Sequence, residues 1–156
     1  AVWTILFGDM LASAITGVIL SIVPVIIAIS VGAQIVDPLV LIVAILLGAV
    51  CFSTASLLLS VPPVAQPAPI QMLSTLIKFP LMFISGVFIP LGEMPAIAQT
   101  IAFISPLTYF TDLARYATGG ANYFGVGVDI GVLTLFTVVA WIIAVKLHNR
   151  TLPMRV

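Results

Sequence analysis

The sequence predicts an all-α fold: a polytopic helical membrane protein with about four transmembrane helices and two short re-entrant or interfacial helices before the last span. The composition supports this class, because 62% of the 156 residues are hydrophobic and 6% are charged, whereas soluble domains carry about 25% charged residues. The few charges fall mostly in gaps between long apolar runs. Runs of about 20 apolar residues are long enough to cross a bilayer core as helices.

The boundaries of the spans follow from proline and charge. The first apolar run ends where Asp37 and Pro38 favour a turn, since proline removes a backbone donor. The second ends at residues 62–69, where four prolines are expected to exclude a regular helix and form a stiff connection. The predicted spans, all in a single transmembrane domain of residues 1–156, are residues 10–36, 39–61, 70–90 and 128–147.

The segment of residues 91–120 is too broken to span a bilayer and too apolar for a water-exposed loop. Pro95 fits the start of one short helix. For a second, Ser105 fits the N-cap, Pro106 the first helical position and Gly119 the stop. We therefore predict two short helices in this segment, which either take part in gating or simply cap the bundle.

The second short helix is predicted to be amphipathic. Its polar face includes Asp112 and Arg115, which lie three residues apart and are expected to form an ion pair. Tyr109 adds the kind of amphipathic ring that is enriched at membrane interfaces. Its apolar face is formed by Leu107, Phe110, Leu113, Ala114 and Ala117.

Two stripes of small residues lie at helical spacing on the first two spans. Such stripes allow the close approach of helices in a bilayer, and they also fit a polar lining for a substrate path. The sequence leaves both interpretations open. The stripes consist of Ser13, Gly17 and Ser21 on the first span and of Ala49, Ser53, Ser56 and Ser60 on the second.

Lys78 is the only charge well inside a predicted span. A lysine at mid-membrane costs about 2.5 to 3.5 kcal/mol on insertion scales. One interpretation is that its side chain reaches towards the cytoplasmic headgroups. The other is that it faces a wet cavity and attracts anionic groups.

Enzymatic sites are not indicated. The residues before Lys78 do not form the Gly-rich phosphate loop that cradles ATP, so this chain is expected to be no enzyme and to carry no cofactor. His148 has no Cys or His at metal-ligand spacing, and no metal site is predicted. No two acidic residues lie beside each other in a span, so neither an intramembrane aspartyl dyad nor a proton relay is expected. The five basic residues form no patch for nucleic acid.

The basic residues predict the orientation. Lys146, Arg150 and Arg155 lie close to the last span, which places the C-terminus in the cytoplasm by the positive-inside rule. Four crossings then place both ends of this chain in the cytoplasm. The localisation expected is the cytoplasmic membrane, as a multi-pass protein whose external residues include Asp37, Glu93, Asp112, Arg115 and Asp129.

The second half of the chain carries an ordered set of motifs: Phe-Pro-Leu-Met-Phe-Ile-Ser-Gly-Val-Phe-Ile-Pro at residues 79–90, Met94-Pro95, Gln99, Ser-Pro-Leu-Thr-Tyr at residues 105–109, and Arg115. In order and spacing this set resembles the permease subunits of type-2 ATP-binding-cassette (ABC) exporters. The Gly-Asp-Met-Leu-Ala at residues 8–12 is similar to the start of that family's third span. By this resemblance, the four predicted spans correspond to the third to sixth of six, and we expect the chain to be the C-terminal part of a longer permease.

The resemblance implies a permease that forms a dimer with a second copy and pairs with ATP-binding subunits, which bind ATP and Mg²⁺. The expected function is export of a drug-like or lipid-linked substrate across the cytoplasmic membrane. Ser85 and Gly86 are expected to allow close approach at the end of the third predicted span, and Asp112 with Arg115 to latch the exit. The candidate residues of the substrate path or gate are Lys78, Ser85, Gly86, Pro90, Pro106, Tyr109, Asp112 and Arg115.

Two alternatives from other functional classes stay open. One is a membrane assembly subunit that transports nothing, and the other is a small oligomeric channel. A channel would pass ions without ATP, whereas an assembly subunit would bind partners without any substrate-stimulated ATP hydrolysis.

Overall fold

The computed structural model describes residues 2–59 and 67–151, and these form six α-helices and no strand. The predicted all-α, polytopic fold class is confirmed. A single 3₁₀ turn, Leu91–Glu93, lies between the third and fourth helices. The helices are α1 (Val2–Ser30), α2 (Pro38–Leu59), α3 (Pro67–Ile84), α4 (Ala96–Ile104), α5 (Pro106–Ala117) and α6 (Val126–Thr151).

Three helices of the described part are long and apolar enough to cross a membrane: α1, α2 and α6. The helix α3, which corresponds to the predicted span 70–90, is apolar but shorter and ends at Ile84. It ends there because Gly86 has a φ of 86°, a left-handed conformation that stops an α-helix. The chain then turns at residues 85–89 instead of continuing to Pro90.

Three further helix ends differ from the sequence-based boundaries. The helix α1 begins at Val2 rather than at residue 10, and it ends at Ser30 rather than at residue 36, just before Gly32 with its φ of 95°. The helix α3 begins at Pro67, within the stretch expected to be non-helical. Proline is tolerated in a first turn, because the N–H it lacks would have no intrahelical partner there. Residues 60–66 of the Pro-rich connection lie outside the described residues.

The helix α2 lies at the centre of the bundle, in contact with α1, α5 and α6. The short helix α5 is part of the main core and not a separate cap, because Tyr109 and Leu113 are buried there. In contrast, α3 packs mainly on α4 and α5. The buried residues of this core are Ala44, Cys51, Tyr109, Leu113 and Leu133.

Candidate functional site

The helix α5 has the ends that the sequence predicts. Ser105 occupies the N-cap position and Pro106 the first turn, although the Ser105 side chain makes no capping hydrogen bond. At the other end, Gly119 has a φ of 81°, and the N–H of Gly120 donates to the carbonyl of Arg115 over 2.8 Å. This is the Schellman pattern of a helix C-terminus.

Polar side chains of α5 hold the end of α4. The hydroxyl of Thr108 donates to the carbonyl of Ala102 over 2.7 Å, and that of Tyr109 donates to the carbonyl of Phe103 over 2.8 Å. Thr108 is fully buried. The polar face of α5 therefore packs against protein, and its hydroxyls bind carbonyls at the α4 C-terminus. The carbonyl of Ala102 also accepts a hydrogen bond from the N–H of Ser105 over 3.0 Å. Burial raises the pKa of the Tyr109 phenol, which keeps its hydroxyl protonated as a donor.

The ion pair expected between Asp112 and Arg115 is not formed in the described part of the chain. The Asp112 carboxylate accepts hydrogen bonds from the backbone N–H groups of Tyr123 and Phe124, each over 2.9 Å. The Arg115 guanidinium donates to the carbonyl oxygen of Gly86. Both charged groups therefore bind the backbone: Asp112 holds the loop before α6, and Arg115 holds the turn after α3.

A cavity of about 140 Å³ lies between these attachments, and we call it the α5 cavity. It brings together five of the eight candidate residues: Ser85, Gly86, Pro90, Asp112 and Arg115. Pro106 and Tyr109 lie on α5 but not in its lining, and Lys78 lies elsewhere. The other lining residues are Leu91, Thr108, Thr111, Ala121, Asn122 and Tyr123.

Gly86 is needed for its backbone conformation and not for the close approach predicted from the sequence. A Cβ atom at Gly86 would lie 3.5 Å from the Leu91 side chain, which is an ordinary contact. Its φ of 86°, however, lies in the region that side chains with a Cβ rarely adopt. The turn at Gly86 directs its carbonyl to Arg115, and the preceding Ser85 is buried with its hydroxyl donated to the carbonyl of Met82 over 3.1 Å.

Two buried carboxyl groups, those of Asp112 and Asp129, lie close to each other next to the α5 cavity. Asp129, in the first turn of α6, is fully buried and lies close enough to Asp112 to interact with it. One oxygen of Asp129 accepts a hydrogen bond from the Asn122 side chain over 3.1 Å, and the other has no partner. Sequence reasoning missed this pair because the two residues lie on different helices and are joined by the fold alone.

A second cavity, of about 760 Å³, lies among α1, α2, α3 and α5, and we call it the lysine groove. It contains Lys78 from α3 and most members of both small-residue stripes, whereas Ser60 lies outside the described residues. Its lining residues are Ala12, Ser13, Thr16, Gly17, Leu20, Ser21, Ile45, Gly48, Ala49, Phe52, Ser53, Ser56, Lys78 and Phe110.

The stripes serve helix packing and also line the groove. A Cβ atom at Gly17 would lie 3.6 Å from the Cβ of Ala49, so α1 and α2 are in close contact there. On the same helices Ser13 and Ser53 face the groove. The two interpretations left open by the sequence are therefore compatible in this structure.

Phe110 connects α5 to the lysine groove. Its ring lies against Gly48 of α2, where an added Cβ would come within 2.7 Å of the ring atoms. The ring also meets Phe52 edge to face, with centroids 6.0 Å apart. Sequence reasoning placed Phe110 on the apolar face of α5 but did not identify its partner; the only signal was a glycine inside an apolar span.

Residues 1–118 match the family model described as ABC-2 type transporter. The chain is 35% identical over 78 residues to nodulation protein J of Rhizobium leguminosarum bv. viciae, which is 50% of this chain and 30% of the relative. It is 31% identical over 111 residues to the inner membrane transport permease YadH of Escherichia coli K12, 71% of this chain and 43% of the relative. The matches thus span less than half of either relative. No solved structure matches the chain significantly.

Proposed function

We propose that the chain forms the membrane part of the permease subunit of an ATP-driven exporter, because it belongs to the ABC-2 type transporter family. The energy comes from a separate ATP-binding subunit, which holds ATP and Mg²⁺, and a second permease copy completes the dimer. The cargo is a drug-like or lipid-linked molecule that leaves across the cytoplasmic membrane. In this arrangement both ends of the present chain lie in the cytoplasm, and residues 91–120 lie on the outer side.

The observation that carries this proposal is the position of α5 between the two cavities. Phe110 of α5 borders the lysine groove, while Asp112 and Arg115 of the same helix line the α5 cavity. A short helix with polar attachments to two neighbouring segments is the kind of element that has two discrete packing positions. A shift of α5 would change both cavities together, as a gate between a binding region and an exit requires.

The test uses the full-length permease, purified with its ATP-binding subunit and reconstituted in liposomes. Stimulation of ATP hydrolysis by drug-like or lipid-linked compounds, together with ATP-dependent movement of the same compounds, supports the exporter. Loss of that stimulation in Arg115→Met, with basal hydrolysis retained, supports a gating role for α5.

Two outcomes favour the alternatives. Ion flux through the permease without ATP would favour a channel. A stable complex whose ATP hydrolysis never responds to any compound would favour an assembly subunit. The similarity to YadH, a transport permease, favours the exporter over both alternatives.

A further inference from the structure

The lysine groove has the chemistry of a binding site for an anion. Lys78 lies at its surface, and the groove lining contains no acidic side chain. An ammonium group in an apolar segment is costly unless a counter-charge or water satisfies it. The groove thus presents a cation without a compensating anion.

The Ser53 side chain gives a second, independent indication that the lysine groove binds a ligand. Its side chain lines the groove and is only 7% exposed, yet its hydroxyl makes no hydrogen bond in the described part of the chain. Three other hydroxyls of the lining are satisfied by their own helices, since Thr16 donates to the carbonyl of Ala12, Ser21 to that of Val18 and Ser56 to that of Phe52. The Ser13 hydroxyl also makes no hydrogen bond in the described residues, but Ser13 is exposed, whereas Ser53 is buried. Buried hydroxyls normally have a partner, so an unpartnered one directed into a cavity points to a ligand atom.

The remainder of the lining is apolar and aromatic. Leu20 and Ile45 come from α1 and α2, and the Phe52 and Phe110 rings meet at the side that α5 forms. Such a lining accommodates an alkyl or aromatic body, whereas Lys78 and Ser53 accommodate a charged oxygen group. The volume of about 760 Å³ lies within the range of pockets that hold drug-sized ligands.

We propose that the lysine groove binds an amphiphile through its anionic group, a phosphate or carboxylate held by Lys78 and Ser53, with the apolar body against Phe52 and Phe110. The amphiphile is the transported cargo, so this assignment rests on the proposed function. It narrows the cargo from any drug-like or lipid-linked molecule to one that carries a negative charge.

Binding is measured on the full-length permease with its ATP-binding subunit in nanodiscs of phosphatidylcholine. The probes are a fluorescent dodecyl phosphate and the dodecanol with the same label. In Lys78→Met the affinity for the phosphate falls about tenfold and in Ser53→Ala about threefold, while the affinity for dodecanol stays the same. Lys78→Arg keeps most of the phosphate affinity.

The control variant is Lys146→Met, which removes an equal charge at an exposed position of α6 outside the groove. Equal losses in Lys146→Met and Lys78→Met, or equal affinity of the wild type for phosphate and alcohol, overturn the proposal. An affinity for dodecyl phosphate that stays unchanged in both Lys78→Met and Ser53→Ala also overturns the proposal.

Labelling tests what occupies the groove. Ser53→Cys, in a background without other cysteines, is expected to react with a membrane-permeant maleimide and to be protected by dodecyl phosphate. A cysteine that never reacts shows that another helix or a second copy fills the groove, and this overturns the site. A phospholipid that remains bound through ATP hydrolysis, seen by native mass spectrometry, overturns the assignment as cargo.

Different results would overturn the proposed binding site and the proposed export function. Selective phosphate binding without ATP-driven movement of dodecyl phosphate overturns the exporter and retains the site. ATP-driven movement that is unchanged in Lys78→Met, with unchanged binding, overturns the site and retains the exporter.

Discussion

Arg115 of α5 donates a hydrogen bond to the backbone carbonyl of Gly86, 29 positions earlier in the chain. The bond fastens the turn after α3 to α5, and α3 has few other contacts with the bundle. Asp112, one turn away on α5, fastens the loop before α6 in the same manner. These two residues thus act on different segments, although the sequence suggests that they act on each other.

Arg115→Met is expected to loosen the turn after α3. Loss of a charge-assisted hydrogen bond at this half-buried position lowers the free energy of unfolding by about 1 kcal/mol. Thermal unfolding of the full-length permease in detergent measures the loss. Lys146→Met serves as the matched control, and an equal loss in that variant would contradict a specific role for the Arg115 bond.

Gly86→Ala is expected to strain the backbone. Because Gly86 has a φ of 86°, a side chain there costs about 1 to 2 kcal/mol of stability. Gly127→Ala is the control, since a Cβ at Gly127 meets nothing within 4 Å and its φ is not positive. The melting temperatures of the two variants are compared. If Gly86→Ala and Gly127→Ala have the same melting temperature, backbone conformation is not the reason for glycine at position 86.

Asp112→Asn is expected to release the loop before α6. The carboxylate accepts from two backbone N–H groups, and an amide offers only one acceptor oxygen, so stability falls by about 1 to 3 kcal/mol. Hydrogen exchange at Tyr123 and Phe124 reports the loss locally and should become faster. In the control Asp9→Asn, an exposed change on α1, exchange at these two amides should stay as in the wild type.

Gly48→Ala is expected to collide with Phe110, since the new methyl group would lie 2.7 Å from the ring. Overpacking of this kind costs about 1 to 3 kcal/mol. Phe110→Leu should relieve part of the cost, and a double-mutant cycle measures this coupling. Gly131→Ala, where a Cβ meets nothing within 4 Å, is the control. Strictly additive losses in the cycle would rule out the contact.

The sequence predicted those features that depend on local chemistry. Apolar runs identified the helical membrane class, and the Ser105-Pro106 start and the Gly119 stop bounded α5 correctly. It misjudged the end of α3, because the positive φ of Gly86 is set by the turn that presents its carbonyl to Arg115. A glycine in an apolar run gives no sign of whether it serves packing or a turn.

Features that depend on contacts distant in sequence could not be predicted. Asp112 and Asp129 appear well separated until α5 and α6 pack side by side. Phe110 and Gly48 likewise meet only because α5 joins the core around α2. In the candidate site, five of the eight predicted residues line one cavity. The hydrogen-bond partners of Asp112 and Arg115 could not be predicted, because they are backbone groups, which carry no signature in the sequence.

The partners of Asp112 also limit when, during synthesis, α5 can make its native contacts. They are the N–H groups of Tyr123 and Phe124, which follow α5 in the chain. While the ribosome has not yet made residue 124, α5 holds a carboxylate without its native donors, and a buried charge in that condition is costly. These hydrogen bonds of Asp112 can therefore form only after the loop before α6 has been made, when α1 to α5 have already been synthesised.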